Sequence, residues 1–113
     1  MICQALRMSR YGLRTILNCI GTTRKERMNS RSKEIMSILQ EECAEVIQAI
    51  SKVNRFGIDE VFENRSNRER LEEEIGDVMC LMGLLIDDGI VDEKRIESAA
   101  RNKLDRLKRW STI

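Results

Sequence analysis

The sequence predicts an all-α protein built as an antiparallel helical bundle. Two segments place apolar residues at steps of three and four, which is the pattern of a helix with one buried face. The 113 residues include no proline, six glycines and only 4% aromatic side chains. This composition favours long helices that pack through aliphatic residues, and the length is sufficient for one domain with a modest core.

The first predicted helix spans residues 32–56, with Asn29 or Ser30 as its cap. Its apolar stripe consists of Ile35, Ile38, Leu39, Val46, Ala49, Ile50 and Val53. Glu42 falls on this stripe, and Glu45 lies one turn further on. A carboxylate turned into a packed interior is costly unless a cation or hydrogen-bond donors meet it, so we expect a partner for these acids.

The second predicted helix spans residues 67–86. Ser66 and Glu69 have the spacing of a capping box, in which the serine oxygen accepts from a helix amide and the glutamate reaches back. The apolar stripe consists of Leu71, Ile75, Val78, Leu81, Met82 and Leu85. Asp87 to Gly89 are expected to close this helix.

Residues 57–66 are predicted to form a connector that begins at Gly57, where the first helix ends. Its apolar cluster, Ile58, Val61 and Phe62, is expected to add a short turn over an opening of the core. A third helix is predicted from a cap at Asp92 to Arg109. The apolar face of that helix is thin and consists of Ile96, Ala99, Ala100, Leu104 and Leu107. Because the apolar faces are wide relative to the number of helices, apolar surface is left uncovered, and we expect a homodimer or tetramer that completes a larger bundle.

Residues 1–28 are predicted to be a basic extension outside the helical domain, which occupies residues 29–113. The extension contains one acid, Glu26, and six basic side chains: Arg7, Arg10, Arg14, Arg24, Lys25 and Arg27. Three interpretations stay open: a start site that truly lies at Met28, a mitochondrial presequence, or an extra helix at an oligomer interface. In the first two cases the extension is expected to be disordered or to pack little against the core.

Composition excludes several classes of function. The net charge of +1 gives no electrostatic case for binding nucleic acid or a membrane surface, and no apolar run is long enough to span a bilayer. The absence of histidine excludes the common zinc sites and Ser-His-Asp triads. The cysteines, Cys3, Cys19, Cys43 and Cys80, are far apart and are interpreted as reduced, buried thiols of a cytosolic protein.

Acidic residues form the most informative pattern in the chain. Glu42 and Glu45 share one face of the first helix, and Glu74 and Asp77 share one face of the second. In an antiparallel hairpin the four carboxylates can meet at one level, which requires cations and suits a hard divalent ion such as Mg²⁺. Gly76, in the middle of the second helix, suggests close approach of another helix or a ligand beside them.

The motif Glu41-Glu42-Cys43-Ala44-Glu45, followed on the next helix by Glu74-Ile75-Gly76-Asp77, resembles the MazG-type all-α nucleoside triphosphate pyrophosphohydrolases. The resemblance covers about residues 32–110. It implies Mg²⁺-dependent hydrolysis of a nucleoside triphosphate to the monophosphate and pyrophosphate, with Mn²⁺ as a substitute ion. It further implies Mg²⁺ ligation by Glu42, Glu45, Glu74 and Asp77, with Glu41 as an outer acid or water-orienting base.

Phosphate groups also need cations, and the candidates are Lys52, Arg101 and Lys103. The aromatic residues Phe56, Phe62 and Trp110 are expected in the core or at an interface rather than stacked on a base. Two alternatives stay open: a non-catalytic helical module that binds nucleotide or protein, and a phosphoribosyl-ATP pyrophosphohydrolase. The compact form is similar to small MazG-like proteins of bacteria and phages, so a cytoplasmic role in housecleaning of the nucleotide pool is expected.

Overall fold

The computed structural model describes residues 28–113, and the prediction of an all-α fold is confirmed. The elements in chain order are α1 (Ser30–Phe56), β1 (Val61–Phe62), β2 (Arg65–Ser66), α2 (Asn67–Asp87) and α3 (Glu93–Trp110). Residues 28–93 form one compact unit, and residues 94–113 belong to a second. Apart from Met28, the predicted basic extension lies outside the described residues.

Helix α1 begins and ends where its local sequence provides caps. The Asn29 side chain accepts a hydrogen bond of 2.8 Å from the Ser32 amide, which satisfies an otherwise unpaired donor of the first turn. At the other end, Gly57 has a φ of 95° and donates its amide to the Val53 carbonyl. A residue with a side chain is disfavoured at that φ, so glycine is the natural end of this helix.

The connector contains an antiparallel β-hairpin, which the sequence analysis did not predict. Val61 pairs with Ser66 and Phe62 pairs with Arg65. The two turn residues, Glu63 and Asn64, both have positive φ, at 50° and 60°, as in the tight turns whose twist matches that of paired strands. Val61 and Phe62 are exposed, so the expectation that they close over the core is wrong.

Helix α2 starts with the predicted capping box. The Ser66 side chain accepts from the Glu69 amide, and the Glu69 carboxylate accepts from the Ser66 amide at 2.7 Å. The helix ends at Asp87, with Asp88 as its C-cap and Gly89 at a φ of 69°. A Cβ built on Gly76 would meet no atom of the described chain within 4 Å, so no other helix of the described residues approaches it closely. Close approach of a ligand or of a second copy stays a prediction.

Helices α1 and α2 form an antiparallel hairpin within residues 28–93. At one end, Arg31 Nε lies 2.8 Å from a carboxylate oxygen of Asp88. At the other end, Asn67 Nδ2 donates to the Gly57 carbonyl at 2.8 Å. The buried Asn67 side chain therefore joins the end of α1 to the start of α2 and helps to fix their register.

The core of the described chain is small. Its buried apolar side chains are Ile35, Ala49 and Leu85. The predicted stripes overestimate burial, because Ile38, Ile50 and Ile75 are exposed.

The cysteine prediction is confirmed in part. Cys43 and Cys80 are free thiols, but both are exposed rather than buried. Cys3 and Cys19 lie outside the described residues.

Candidate functional site

Three carboxylates from the antiparallel helices α1 and α2 meet in one cluster. Glu42 and Glu45 are three residues apart on α1, so they lie on the same side of the helix. Glu74 projects from α2. One carboxylate oxygen from each of the three residues lies within 4.8 Å of the others. The antiparallel register of α1 and α2 is what brings them to one level.

The cluster consists of three acidic side chains, so no basic group within it neutralises the repulsion between them. Burial raises the pKa of Glu42 above its ordinary value, and the charges of Glu45 and Asp77 raise it further. Burial also raises the pKa of Glu74, with further contributions from Glu45 and Glu42. The neighbouring charges therefore make ionisation of Glu42 and Glu74 less favourable.

One atom of the cluster lacks a hydrogen-bond partner altogether. Glu42 Oε2 is buried, and no donor among residues 28–113 reaches it. Leaving a buried carboxylate oxygen unsatisfied is unfavourable, and a cation bound by the cluster would satisfy it. Three carboxylates without a nitrogen or sulfur ligand form the donor set that hard divalent ions such as Mg²⁺ and Mn²⁺ prefer. The residues present fit such an ion.

A cleft of about 280 Å³ opens beside the acid cluster. It is lined by Glu45, Gln48, Ala49, Lys52, Arg65, Asn67, Arg70, Glu73 and Glu74. Because Glu45 and Glu74 belong to both the cluster and the cleft, a ligand in the cleft would lie against the candidate cation site. The cleft therefore combines acidic groups for a cation with basic groups for an anion.

Comparison with known protein families decides the family. The model of the MazG nucleotide pyrophosphohydrolase domain matches residues 30–109. The chain belongs to this family. The match includes α1, the β-hairpin, α2 and nearly all of α3. It thus includes every element that carries a residue of the acid cluster. No curated protein and no solved structure matches the chain significantly.

The MazG domain places the remaining predicted acids near the cluster without including them in it. Asp77 is exposed and is not one of the three clustered residues, although its charge raises the pKa of Glu42. Glu41 is exposed and makes a smaller contribution to the same pKa. The roles assigned to Glu41 and Asp77 by the resemblance stay predictions.

Of the three predicted phosphate ligands, Lys52 lines the cleft. Arg101 and Lys103 lie on α3, in the other compact unit. Arg101 lies 3.8 Å from Glu97 one turn earlier in the same helix. Their role in binding phosphate also stays a prediction.

Sequence reasoning missed five polar lining residues of the cleft, namely Gln48, Arg65, Asn67, Arg70 and Glu73. Arg65 could have been found only by recognising the hairpin, whose turn at Glu63 and Asn64 contains no glycine. Arg70 lies one turn before Glu74 on α2, so helical spacing alone could have suggested that it faces the same side.

The aromatic residues of the MazG domain are not in its core. Phe56, Phe62 and Trp110 have exposed fractions of 59%, 67% and 85%. The expectation of core positions is therefore wrong, whereas positions at an interface stay a prediction. Within the described part of the chain, no helix is long and apolar enough to cross a bilayer.

Proposed function

We propose that this protein is a Mg²⁺-dependent pyrophosphohydrolase, which converts nucleoside or deoxynucleoside triphosphates to monophosphates and pyrophosphate. The observation that carries the proposal is the convergence of Glu42, Glu45 and Glu74 beside a cleft that also contains basic groups. Membership of the MazG nucleotide pyrophosphohydrolase family supports the same reaction class.

In this proposal, Glu42, Glu45 and Glu74 hold the cation, and Asp77 completes the set of acids around it. When bound, Mg²⁺ would supply charge neutralisation for a triphosphate and acidify water for attack on phosphorus. Mn²⁺ has the same preference for oxygen ligands and is expected to substitute.

Glu41, next to the cluster and exposed to solvent, is assigned the orientation of the attacking water and the acceptance of its proton. A carboxylate with access to solvent can pass that proton on. This role is separate from cation binding, since Glu41 is not among the clustered residues.

The phosphate groups are assigned to basic side chains. Lys52 lines the cleft beside Glu45 and Glu74 and is the first candidate. Arg101 and Lys103 on α3 are further candidates from the sequence. A triphosphate bound by the cluster and the cleft would thus contact cations at more than one point along its length.

Apolar side chains exposed on the helical hairpin support an oligomer. Met36, Ile47 and Ile50 of α1 and Ile75 and Met79 of α2 are exposed. Covering such side chains is favourable at about 25 cal/mol per Å², and further copies of the chain, in a homodimer or a tetramer, are the proposed cover. The proposed role is cytoplasmic housecleaning of the nucleotide pool, in a bacterium or a phage-infected cell.

The decisive experiment is a product analysis over a panel of nucleoside and deoxynucleoside triphosphates with Mg²⁺. The expected products are one monophosphate and one pyrophosphate for each turnover. A diphosphate and inorganic phosphate would indicate cleavage at the other anhydride bond. Folded protein that releases no pyrophosphate from any member of the panel would refute the proposal.

A further inference from the structure

The cleft beside the acid cluster carries balanced charge in the absence of a cation. Its basic lining residues are Lys52, Arg65 and Arg70, and its acidic lining residues are Glu45, Glu73 and Glu74. Three positive and three negative charges cancel, so one divalent ion would bring the cleft to about +2. The cleft is therefore suited to a polyanion that arrives together with a metal ion.

Arg65 is the basic side chain of the cleft whose ion-pair partner, Glu73, also lines the cleft. Its Nη2 lies 2.5 Å from a carboxylate oxygen of Glu73, and the two side chains have exposed fractions of 43% and 52%. An ion pair so open to water contributes little to folding and exchanges readily. A phosphate group accepts the same paired N–H donors that a carboxylate accepts.

The backbone that carries Arg65 is held firmly, although its side chain is open to solvent. The Asn67 amide donates to the Glu60 carbonyl at 2.9 Å, and Arg70 Nη2 donates to the Phe62 carbonyl at 2.8 Å. Both bonds tie the hairpin to the first turns of α2. A fixed backbone with an exchangeable side chain is the arrangement that lowers the entropic cost of binding a ligand.

We propose that the cleft binds the triphosphate group of the substrate, and that the Arg65 guanidinium exchanges its ion pair with Glu73 for phosphate oxygens. Glu73 pairs with the Arg65 guanidinium and competes with the phosphate for it. Lys52, which has no ion-pair partner among the described residues, and Arg70 supply further positive charge. This inference rests on the proposed function, since it takes the triphosphate of that reaction as the ligand.

The test is calorimetric titration of the full chain with inorganic tripolyphosphate in the presence of Mg²⁺. Arg65→Ala should weaken binding about tenfold to a hundredfold, as expected for loss of charge-assisted hydrogen bonds. The affinity of Arg65→Lys for tripolyphosphate should lie between those of the wild type and Arg65→Ala, because lysine keeps the charge but not the paired donors. Glu73→Gln should tighten binding severalfold, since it removes the carboxylate that competes for Arg65.

Lys33→Ala is the matched control, because Lys33 is an exposed cation of α1 that does not line the cleft. It should leave tripolyphosphate binding within twofold of the wild type. Circular dichroism and thermal unfolding of each variant separate weakened binding from misfolding. Absence of tripolyphosphate binding by the wild type, unchanged binding by Arg65→Ala, or weaker binding by Glu73→Gln would each overturn the inference.

Turnover distinguishes failure of this inference from failure of the proposed function. In the first case, the wild type releases pyrophosphate from nucleotides, but Arg65→Ala retains its affinity for tripolyphosphate and its KM. In the second case, tripolyphosphate binds in an Arg65-dependent manner, but no nucleotide is hydrolysed. If the inference and the proposed function are both correct, Arg65→Ala should raise KM more than it lowers kcat. The reason is that the arginine contacts phosphate in the ground state as well as in the transition state.

Discussion

A carboxylate oxygen of Glu42 on α1 lies within 4.8 Å of a carboxylate oxygen of Glu74 on α2, although the two residues are far apart in the sequence. Two such groups cannot both be ionised there without a mutual cost, and the pKa of each is raised. We therefore expect the stability of the antiparallel pair of helices α1 and α2 to depend on a bound cation or on protonation of these carboxylates.

The first prediction concerns removal of one charge from the cluster. Glu42→Gln should lower Mg²⁺-dependent pyrophosphate release by more than about a hundredfold, because it removes a candidate cation ligand. Without metal, the same variant should have a higher Tm than the wild type at neutral pH, since it relieves repulsion from Glu45 and Glu74. Glu34→Gln, an exposed acid on the same helix, should change neither value. Loss of activity accompanied by a lower Tm would indicate that Glu42 is needed for folding instead.

The second prediction concerns the stabilising effect of the cation. The proposed Mg²⁺ site is assembled only in the folded state, so a hundredfold excess of Mg²⁺ over its Kd should stabilise the wild type by about 2.7 kcal/mol. Glu74→Gln should lose most of this gain in urea unfolding, whereas Glu72→Gln, an exposed acid on the same helix, should retain it. An equal Mg²⁺ response in both variants would place the ion elsewhere in the protein.

The third prediction concerns pH in the absence of metal. The pKa values of Glu42 and Glu74 are raised above 4.5 in the folded state, chiefly by burial. Above pH 4.5, the folded state therefore holds more protons than the unfolded chain until the raised pKa is passed. The stability contributed by Glu42 and Glu74 is fully present below pH 4.5, and it is lost as the pH rises through their raised pKa values. The urea concentration at the unfolding midpoint should therefore decrease as the pH rises through this range. The decrease should be smaller in Glu42→Gln than in the wild type.

The third prediction also covers Glu69, which should produce the opposite pH dependence in a lower pH range. Hydrogen bonds from the Ser66 backbone and side chain lower its pKa below 4.5. Its contribution to stability is present above that value and is lost as the pH falls through the lowered pKa. Glu69→Gln should therefore reduce the loss of stability at acid pH without changing the loss at higher pH. A Glu69→Gln variant with the same acid unfolding curve as the wild type would contradict this assignment.

The parts of the fold that the sequence predicts correctly depend on near neighbours in the chain. Asn29 caps α1, and Ser66 with Glu69 caps α2, because each pair of groups lies within one helical turn. Glu42 and Glu45 share a face for the same reason. Their meeting with Glu74 follows once the two helices are antiparallel.

Features that depend on long-range contacts could not be predicted in this way. Arg65 reaches the cleft only because the hairpin turns at two non-glycine residues with positive φ, and the turn has no strong sequence signal. Periodicity placed Ile38 and Ile75 on buried stripes, but both are exposed. The spacing of apolar residues shows which side of the helix is apolar, whereas the burial of that side depends on which other elements cover it.

The fourth prediction compares two glycines. Gly57→Ala should destabilise the protein by about 1–2 kcal/mol, because its φ of 95° is unfavourable for a residue with a Cβ. Gly76→Ala should stabilise it by up to about 1 kcal/mol, since alanine favours the helix and the added Cβ meets no atom of the described chain within 4 Å. Urea unfolding checks both. Destabilisation by Gly76→Ala would indicate a contact with a partner or ligand that the described residues do not provide.

The fifth prediction concerns the turn that carries Arg65 into place. Glu63 has a φ of 50°, which costs about 1–2 kcal/mol for a residue other than glycine, asparagine or aspartate. The ion pair that could offset this cost is weak, because Glu63 lies 4.0 Å from Arg70 and is largely exposed. Glu63→Asn should therefore stabilise the protein by about 0.5–1 kcal/mol in urea unfolding, without changing tripolyphosphate affinity. A loss of stability would show that the charge of Glu63, rather than its backbone conformation, determines its contribution to the hairpin.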